Sequence, residues 1–475
     1  MNRIIGRHKE LSILQALRTG PSSVFAAVYG RRRVGKTFLI RQAFDNQFAF
    51  YLTGMANVNA SQQLANFQAA LNKFDRTAQE KRPAANWFIA FQQLADILEA
   101  DKSPRKIVFL DELPWLDTPK SDFIPALEHF WNTWASARTD ILLIVCGSAA
   151  SWMLGKLIHS KGGLHNRVTH RIKLDPFTLS ECEEFFKSRS AVFDRYQIIL
   201  LYMVMGGIPF YLDLVDAGTS AAQNISRLCF DRNGQLRDEF DNLYNSLFNK
   251  AEKYIAIIEG LSKRTKGLTR DELIAEAGMP SGGSLTRILK ELEESGFIRK
   301  YPSYGKKEKN SLYQLMDLYS LFYLRWIRDS SGLDENQWIN ELDSPRQRAW
   351  SGYAFEQICL AHLQELKKAL GIAGIQTTTS SWIGTAKTSG AQIDLVIDRR
   401  DQVVTLCEMK FSINKFTIDK KYAEELRNKI GLFKEQTGTR KAIYLAMITT
   451  YGISRNEYAG SLIQNDLTMD ILFDR

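Results

Sequence analysis

The sequence predicts an α/β protein that opens with a doubly wound parallel sheet, and three observations carry that prediction. Short runs rich in Val, Ile and Phe recur at Ser23–Tyr29, Phe48–Thr53, Lys106–Leu110 and Ile141–Cys146, as expected for strands buried on both faces. Between them, Ser61–Phe74, Ala85–Ala100 and Ile124–Ala137 repeat apolar residues at helical spacing, the alternation of a βαβ architecture. At 475 residues the chain exceeds a single core, and roughly 100–200 residues per domain suggests about three.

The pattern changes character along the chain. Residues 1–170 read as the α/β core, and 171–248 as a mostly helical lid, interrupted by a turn at Gly206-Gly-Ile-Pro209. From 249 to 315 a helix at Ala251–Leu261 and a shorter one at Thr269–Ala277 lead through a turn at Gly278–Gly283 to a third helix, Ser284–Ser295. A strand at Gly296–Lys300, a polar loop at Tyr304–Asn310 and a run at Ser311–Leu315 follow. Three helices and a two-stranded wing are the order of a winged helix-turn-helix. Residues 316–349 read as a linker. The stretch 350–475 is a second α/β domain, with helices over Tyr353–Leu370 and Ala423–Glu435 and strands near Gln392–Ile397, Val403–Phe411 and Ala442–Ala446.

Composition sets the class of partner. With 45% hydrophobic and 24% charged residues the chain is globular rather than disordered. Lys and Arg number 62 against 53 Asp and Glu, a net charge of +9, which favours a polyanion: nucleic acid, DNA above all, or nucleotide alone. The five cysteines form no CxxC pair and no zinc-type spacing, so free thiols in a reducing compartment are expected. Met1–Glu10 lacks an apolar leader, and the apolar run Ile141–Cys146 is far shorter than the ~20 residues of a membrane helix. The expectation is a cytoplasmic protein without a membrane partner.

The chemistry concentrates at Gly30-Arg-Arg-Arg-Val-Gly-Lys-Thr37, which follows a predicted strand and opens a predicted helix. A P-loop requires that context. Its glycines let backbone N–H groups curl around a phosphate, the helix start adds positive potential, Lys36 pairs with β/γ oxygens and Thr37 ligates Mg²⁺. Ile107-Val-Phe-Leu-Asp-Glu112 supplies the second half: Asp111 to hold Mg²⁺ through water and Glu112 to polarise an attacking water. Ser148, just past the Ile141–Cys146 strand, is a candidate sensor of the γ-phosphate, or else an ordinary loop serine. Arg167, after the Gly162-Gly163 turn, is the candidate for transition-state charge stabilisation, or else a surface arginine. The predicted nucleotide-binding set is Gly30, Arg31, Arg32, Arg33, Val34, Gly35, Lys36, Thr37, Phe38, Arg7 and Ser148, with ATP and Mg²⁺ as cofactors.

Ile5-Gly-Arg7 with Glu10-Leu11, the arginine-rich P-loop, Phe109-Leu-Asp-Glu112, Cys146-Gly-Ser148 and Gly206-Gly-Ile-Pro209 together make the chain similar to the archaeal and bacterial ATPases of the STAND-related, AAA-like group. That resemblance implies an ATPase with an additional strand in its sheet and an adenine contact near Gly6-Arg7. It also implies a winged helix and a C-terminal domain of restriction-endonuclease-like fold. Residues 163–166 read Gly-Leu-His-Asn where relatives often carry Tyr-Gly, so the role of Arg167 is the part of the pattern that departs most.

In the predicted winged helix the third helix mixes Arg287 and Lys290 with Glu291, Glu293 and Glu294, a poor surface for groove insertion. The wing gathers Arg299, Lys300, Lys306, Lys307 and Lys309 around Tyr301 and Tyr304, suited to phosphates; the other reading is a packing module. In the last domain Asp394 on one strand faces Glu408 and Lys410, which share a face of the next, with Glu356 on a preceding helix. The set resembles the PD-(D/E)xK nuclease pattern: Asp394, Glu408 and Glu356 as metal ligands and Lys410 beside the attacking water. The expected function is a nucleotide-controlled switch, an ATP hydrolase coupled to a domain that binds or cleaves DNA, compatible with a homo-oligomer. The rival keeps the ATPase and makes the last domain a catalytically inert interaction module. A third reading, phosphoryl transfer to a small molecule, lacks an acceptor pocket in the sequence.

Overall fold

Four apolar runs and one mixed edge run form a single parallel sheet: β1 Val24–Tyr29, β2 Phe50–Thr53, β3 Lys106–Asp111, β4 Ile141–Gly147 and β5 His170–Lys173, in the order β2-β3-β4-β1-β5. The computed structural model describes residues 4–74, 83–158, 162–248, 250–306, 310–330, 335–384 and 390–474. It divides into two units, Met1–Pro176 and Phe177–Arg475. β3 and β4 are buried along their whole length, because helices cover both faces of a parallel sheet. One layer of this core joins Phe25, Phe50, Phe67, Trp87, Phe91 and Phe123 in a continuous apolar cluster.

The position of β4 has the largest consequence for the site. It lies between β1, which leads into the glycine-rich loop, and β3, which ends in Asp111. An additional strand in the sheet was expected, and this one brings its own C-terminal residues between the two halves of the site. The glycine-rich loop then turns sharply at Gly30, whose φ of 146° lies in a region open to glycine. A Cβ at Gly30 would collide with the backbone carbonyl of Leu174. The helix Lys36–Ala43 follows and buries Lys36, Leu39, Ile40 and Ala43 along one face.

The expected boundary at 170 shifts. β5 occupies His170–Lys173 and pairs with β1, so the first three residues assigned to a helical lid, 171–173, are sheet. Its exposed, basic edge pattern hid it, since only Ile172 of the four is buried. The helices Leu179–Ser188, Arg195–Met205, Ala221–Cys229 and Glu239–Leu247 belong to the second unit. The described residues of 316–349, expected as a linker, are packed structure instead. Helix Leu318–Phe322 runs into a π-helical turn, Tyr323–Ile327, and Trp326, Trp338 and Trp350 are buried against one another. Tyr319 donates to the carbonyl of Leu236 at 2.6 Å.

Farther on, helices Ala251–Ser262, Arg270–Ala277 and Gly283–Glu294 precede an antiparallel pair, β6 Ile298–Tyr301 and β7 Leu312–Leu315. The last part is a five-stranded mixed sheet, β12-β11-β10-β9-β8, made of β8 Thr377–Gly384, β9 Ala391–Arg399, β10 Val403–Lys410, β11 Ala442–Thr449 and β12 Asn465–Thr468. Here β8, β9 and β10 are antiparallel neighbours, while β10, β11 and β12 run parallel. Helix Lys420–Thr437 packs Ala423, Leu426 and Phe433 onto it. Among the described residues, no helix is long and apolar enough to cross a membrane, and all five cysteines are buried and unpaired in disulfides.

Candidate nucleotide site and a second carboxylate cluster

The ends of β1, β3 and β4 converge. Lys36, only 5% exposed, donates from Nζ to the carbonyls of Gly30 at 3.1 Å and Arg31 at 2.9 Å, and to Ser148 Oγ at 3.0 Å. Thr37 Oγ1 lies 3.0 Å from Asp111 Oδ2, joining the helix start to the tip of β3. Burial pushes the Lys36 ammonium below its usual range, and the carboxylates of Glu112 and Asp111 oppose that shift.

Asp111 is buried and receives two further donors on Oδ1, the backbone N–H of Glu112 at 3.0 Å and the thiol of Cys146 at 2.6 Å. Glu112 has φ 48° and ψ 49°, the left-handed region that a residue other than glycine occupies at a cost. This kink sends its side chain to Ser148, whose Oγ donates to Oε1 at 2.9 Å and whose N–H donates to Oε2 at 3.3 Å. Ser148 thus bridges Lys36 and Glu112. Gly147 has a packing reason of its own: a Cβ there would lie 2.7 Å from Pro114 Cδ, in the short helix that Glu112 caps, and 2.9 Å from Met153 Sδ.

The other predicted nucleotide contacts are placed as follows. Arg31 and Val34 are buried, Arg32 and Arg33 half-buried, and Gly35 at φ 89° caps the helix. Arg33 and Arg7 take positive φ, 70° and 54°, and Arg7 is buried at the start of helix His8–Arg18. Phe38 is 41% exposed. Arg167 is exposed in the turn before β5, and its guanidinium makes no hydrogen bond among the described residues. The structure therefore brings Lys36, Thr37, Asp111, Glu112 and Ser148 together and leaves Arg167 outside that set.

A second cluster forms in the last sheet. Glu408 on β10 is buried, with Oε1 2.7 Å from Lys429 Nζ and Oε2 3.2 Å from the hydroxyl of Tyr422. Asp394 on β9 accepts from Gln392 Nε2 at 2.6 Å. The ammonium of Lys410 lies 5.3 Å from the centre of the Tyr422 ring. Burial first, then the Asp394 carboxylate, pushes the Glu356 carboxyl up to about 9, against the pull of Lys410. Burial likewise raises Glu408, and Lys429 opposes it.

The predicted ligand set Glu356, Asp394 and Glu408 is not drawn into a metal cage. Among the described residues, no three His, Cys, Asp or Glu side chains are grouped to hold a metal ion. The reason is local: Lys429 and Tyr422 occupy both oxygens of Glu408, and Gln392 occupies Asp394. Lys429 and Tyr422 escaped the sequence reading, yet a signal existed, because positions 422, 426, 429 and 433 recur on one face of a helix whose Leu426 and Phe433 are core.

The wing also differs from expectation. Arg299 bonds Gln314 and Gln357, and burial shifts its guanidinium pKa downward. Tyr301 is buried with its hydroxyl 3.3 Å from the Asp394 carbonyl. Past β6, Tyr304 N–H donates to Ser381 on β8 at 2.8 Å and its ring meets Phe433. These side chains are used in packing and are unavailable to phosphates. Lys306 is exposed, while Lys307 and Lys309 lie outside the described residues. By contrast Ser284, Thr286, Arg287 and Lys290 of helix Gly283–Glu294 are exposed, with Arg287 and Lys290 only loosely paired to Glu291 and Glu294 at 3.9 and 3.7 Å.

Comparison with known proteins agrees with the N-terminal geometry. Residues 4–215 match the family model described as an ATPase domain predominantly from Archaea. Over 436 residues the chain is 26% identical to the uncharacterized protein MJECL04 of Methanocaldococcus jannaschii, covering 90% of this chain and 92% of that one. Among solved structures, the Walker-type ATPase PABY2304 of Pyrococcus abyssi has a similar fold, with a TM-score of 0.51, 17% identity, and coverage of 68% of this chain and 96% of that chain. The family match over residues 4–215 agrees with a parallel sheet in which β4 separates the loop strand from the Asp111 strand.

Proposed function

We propose that the protein hydrolyses ATP and uses its nucleotide state to control DNA binding by the second unit. One observation carries the ATP half: the buried ammonium of Lys36, the Thr37–Asp111 bond and the Glu112–Ser148 clasp meet where a helix begins. This donor set fits a magnesium nucleotide. Lys36 and the amides of residues 31–37 would hold the phosphates, Thr37 and Asp111 the Mg²⁺, and the region of Arg7 the adenine. Bound Mg²⁺ supplies positive charge to the phosphate oxygens. Glu112 orients the attacking water and takes its proton, which requires its carboxylate to turn from Ser148. Arg167, exposed and unengaged, is available to stabilise developing charge only if the loop that carries it or a neighbouring copy moves it to the phosphates.

DNA is the partner that the net charge of +9 and the exposed face of helix Gly283–Glu294 favour. The three helices and the β6–β7 pair support a winged-helix reading, with Arg287 and Lys290 rather than the wing directed at the duplex. Cleavage is the second reading, favoured by Asp394, Glu408 and Lys410 on neighbouring strands. Side-chain partners weigh against it in this arrangement. Lys429 and the Tyr422 hydroxyl engage the two oxygens of Glu408 and Gln392 bonds Asp394, so a divalent cation would have to displace these partners. The residues as arranged do not fit a metal, and no cleavage step is derived through one.

Three outcomes test these readings. Glu112→Gln binds ATP as the parent does but hydrolyses it roughly 10²–10⁴-fold more slowly, as measured by phosphate release; an unchanged turnover contradicts the assignment. The intact chain retards duplex DNA in a gel but leaves plasmid uncut in Mg²⁺ at pH 7, whereas nicking that Glu408→Ala abolishes would establish the second reading. The third concerns pH. The folded-state pKa of Glu356, about 9, stands above the ordinary 4.5, so the folded protein binds the extra proton, and the contribution to stability is complete below 4.5 and lost as pH rises through 9. In Glu356→Gln the urea midpoint of the second unit therefore exceeds that of the parent at pH 9, and the difference narrows towards pH 5.

A further inference from the structure

We infer that Cys146 is a positioning residue for Asp111, holding its carboxylate in the orientation that receives Mg²⁺. The inference rests on the reading of Asp111 as a metal-holding residue and deepens it.

The placement follows from the sheet. β3 and β4 are parallel with Leu110 beside Val145, so the next pair in that register is Asp111 and Cys146. Cys146 is fully buried, and its Sγ lies 2.6 Å from Asp111 Oδ1. A thiol is a weak donor, but here it faces a carboxylate inside the protein, where water does not compete. Among the described residues the carboxylate has three donors: Thr37, nearest Oδ2 and also within reach of Oδ1, and Cys146 and the Glu112 amide on Oδ1. They differ in what a bound metal would ask of them. Thr37 would present its hydroxyl oxygen to the cation, so its bond to Asp111 would be given up or reshaped. The Glu112 amide belongs to a backbone in the left-handed region, adjoining the group that must move for catalysis. Cys146 is anchored in the middle of a sheet and takes no part in either change. It is therefore the donor that keeps the carboxylate plane fixed throughout. Partners of this outer kind govern metal affinity through the ligand they orient.

The test is equilibrium binding of a fluorescent ADP analogue to the full chain, with and without Mg²⁺, read alongside ATP hydrolysis. Cys146→Ala is expected to bind the metal-free analogue as the parent does, but to need about 10-fold more Mg²⁺ for the metal-dependent gain in affinity and for half-maximal hydrolysis. The KM for ATP at saturating Mg²⁺ stays unchanged. Cys146→Ser, which keeps a donor, restores most of the Mg²⁺ response. In the parent protein, the infrared S–H band that Cys146→Ser removes lies below the frequency of a free thiol, a readout that needs no variant to stay active. Asp111→Asn, run in parallel, separates two failures. If it leaves the Mg²⁺-dependent gain intact, the underlying reading of Asp111 is wrong. If it abolishes the gain while Cys146→Ala behaves as the parent, only the positioning inference falls. Equal impairment of the Ala and Ser variants, or a free-thiol S–H frequency, also overturns it in favour of packing alone.

Discussion

The hydrogen bond between Thr37 and Asp111 ties the first turn of a helix to the end of a strand two positions away in the sheet. The rest of the nucleotide site depends on that alignment. It holds only if β1 ends where Gly30 can turn, if β4 lies between β1 and β3, and if the residues closing β4 fit the gap. Gly147 has no room for a side chain because Pro114 lies against it. Ser148 then reaches both Lys36 and Glu112, so one hydroxyl couples the buried ammonium to the Glu112 carboxylate.

Much of this was legible in the sequence, for identifiable reasons. The glycine-rich loop announces itself because the backbone must do what only glycine does cheaply at Gly30, and because Lys36 and Thr37 follow at fixed positions on a helix start. Asp111 and Glu112 were legible as acidic residues closing an apolar strand. What the residue string does not carry is which strands are neighbours. Cys146 looked like one more buried thiol, and its contact with Asp111 appears only once β4 is known to lie beside β3. β5 was missed because an edge strand with one buried residue lacks an apolar run, and β8, rich in Thr and Ser, was missed on the same account.

In the second unit, residue type misled more than pattern did. Arg299, Tyr301 and Tyr304 have the composition of a phosphate-binding wing, but an arginine that bonds two glutamines and a tyrosine packed on Phe433 are tertiary structure. A residue's chemistry sets what it can bind, and its neighbours settle what it does bind. The same holds for Glu408: the strand placed it correctly, while Lys429, arriving from a helix more than twenty residues on, satisfied it. The segment 316–349 lacks long helical periodicity, yet its Trp326 and Trp338 rings meet each other and Trp350 at right angles and bury a core of their own.

The account stands on a triphosphate held at Lys36, and the dissociation constant of ATP for the full-length chain and for Lys36→Ala, in Mg²⁺ at pH 7, tests it most directly. Losing a buried, charge-assisted contact of about 1.5–3 kcal/mol weakens binding by roughly 10- to 100-fold. Equal affinity for the two proteins would contradict the account.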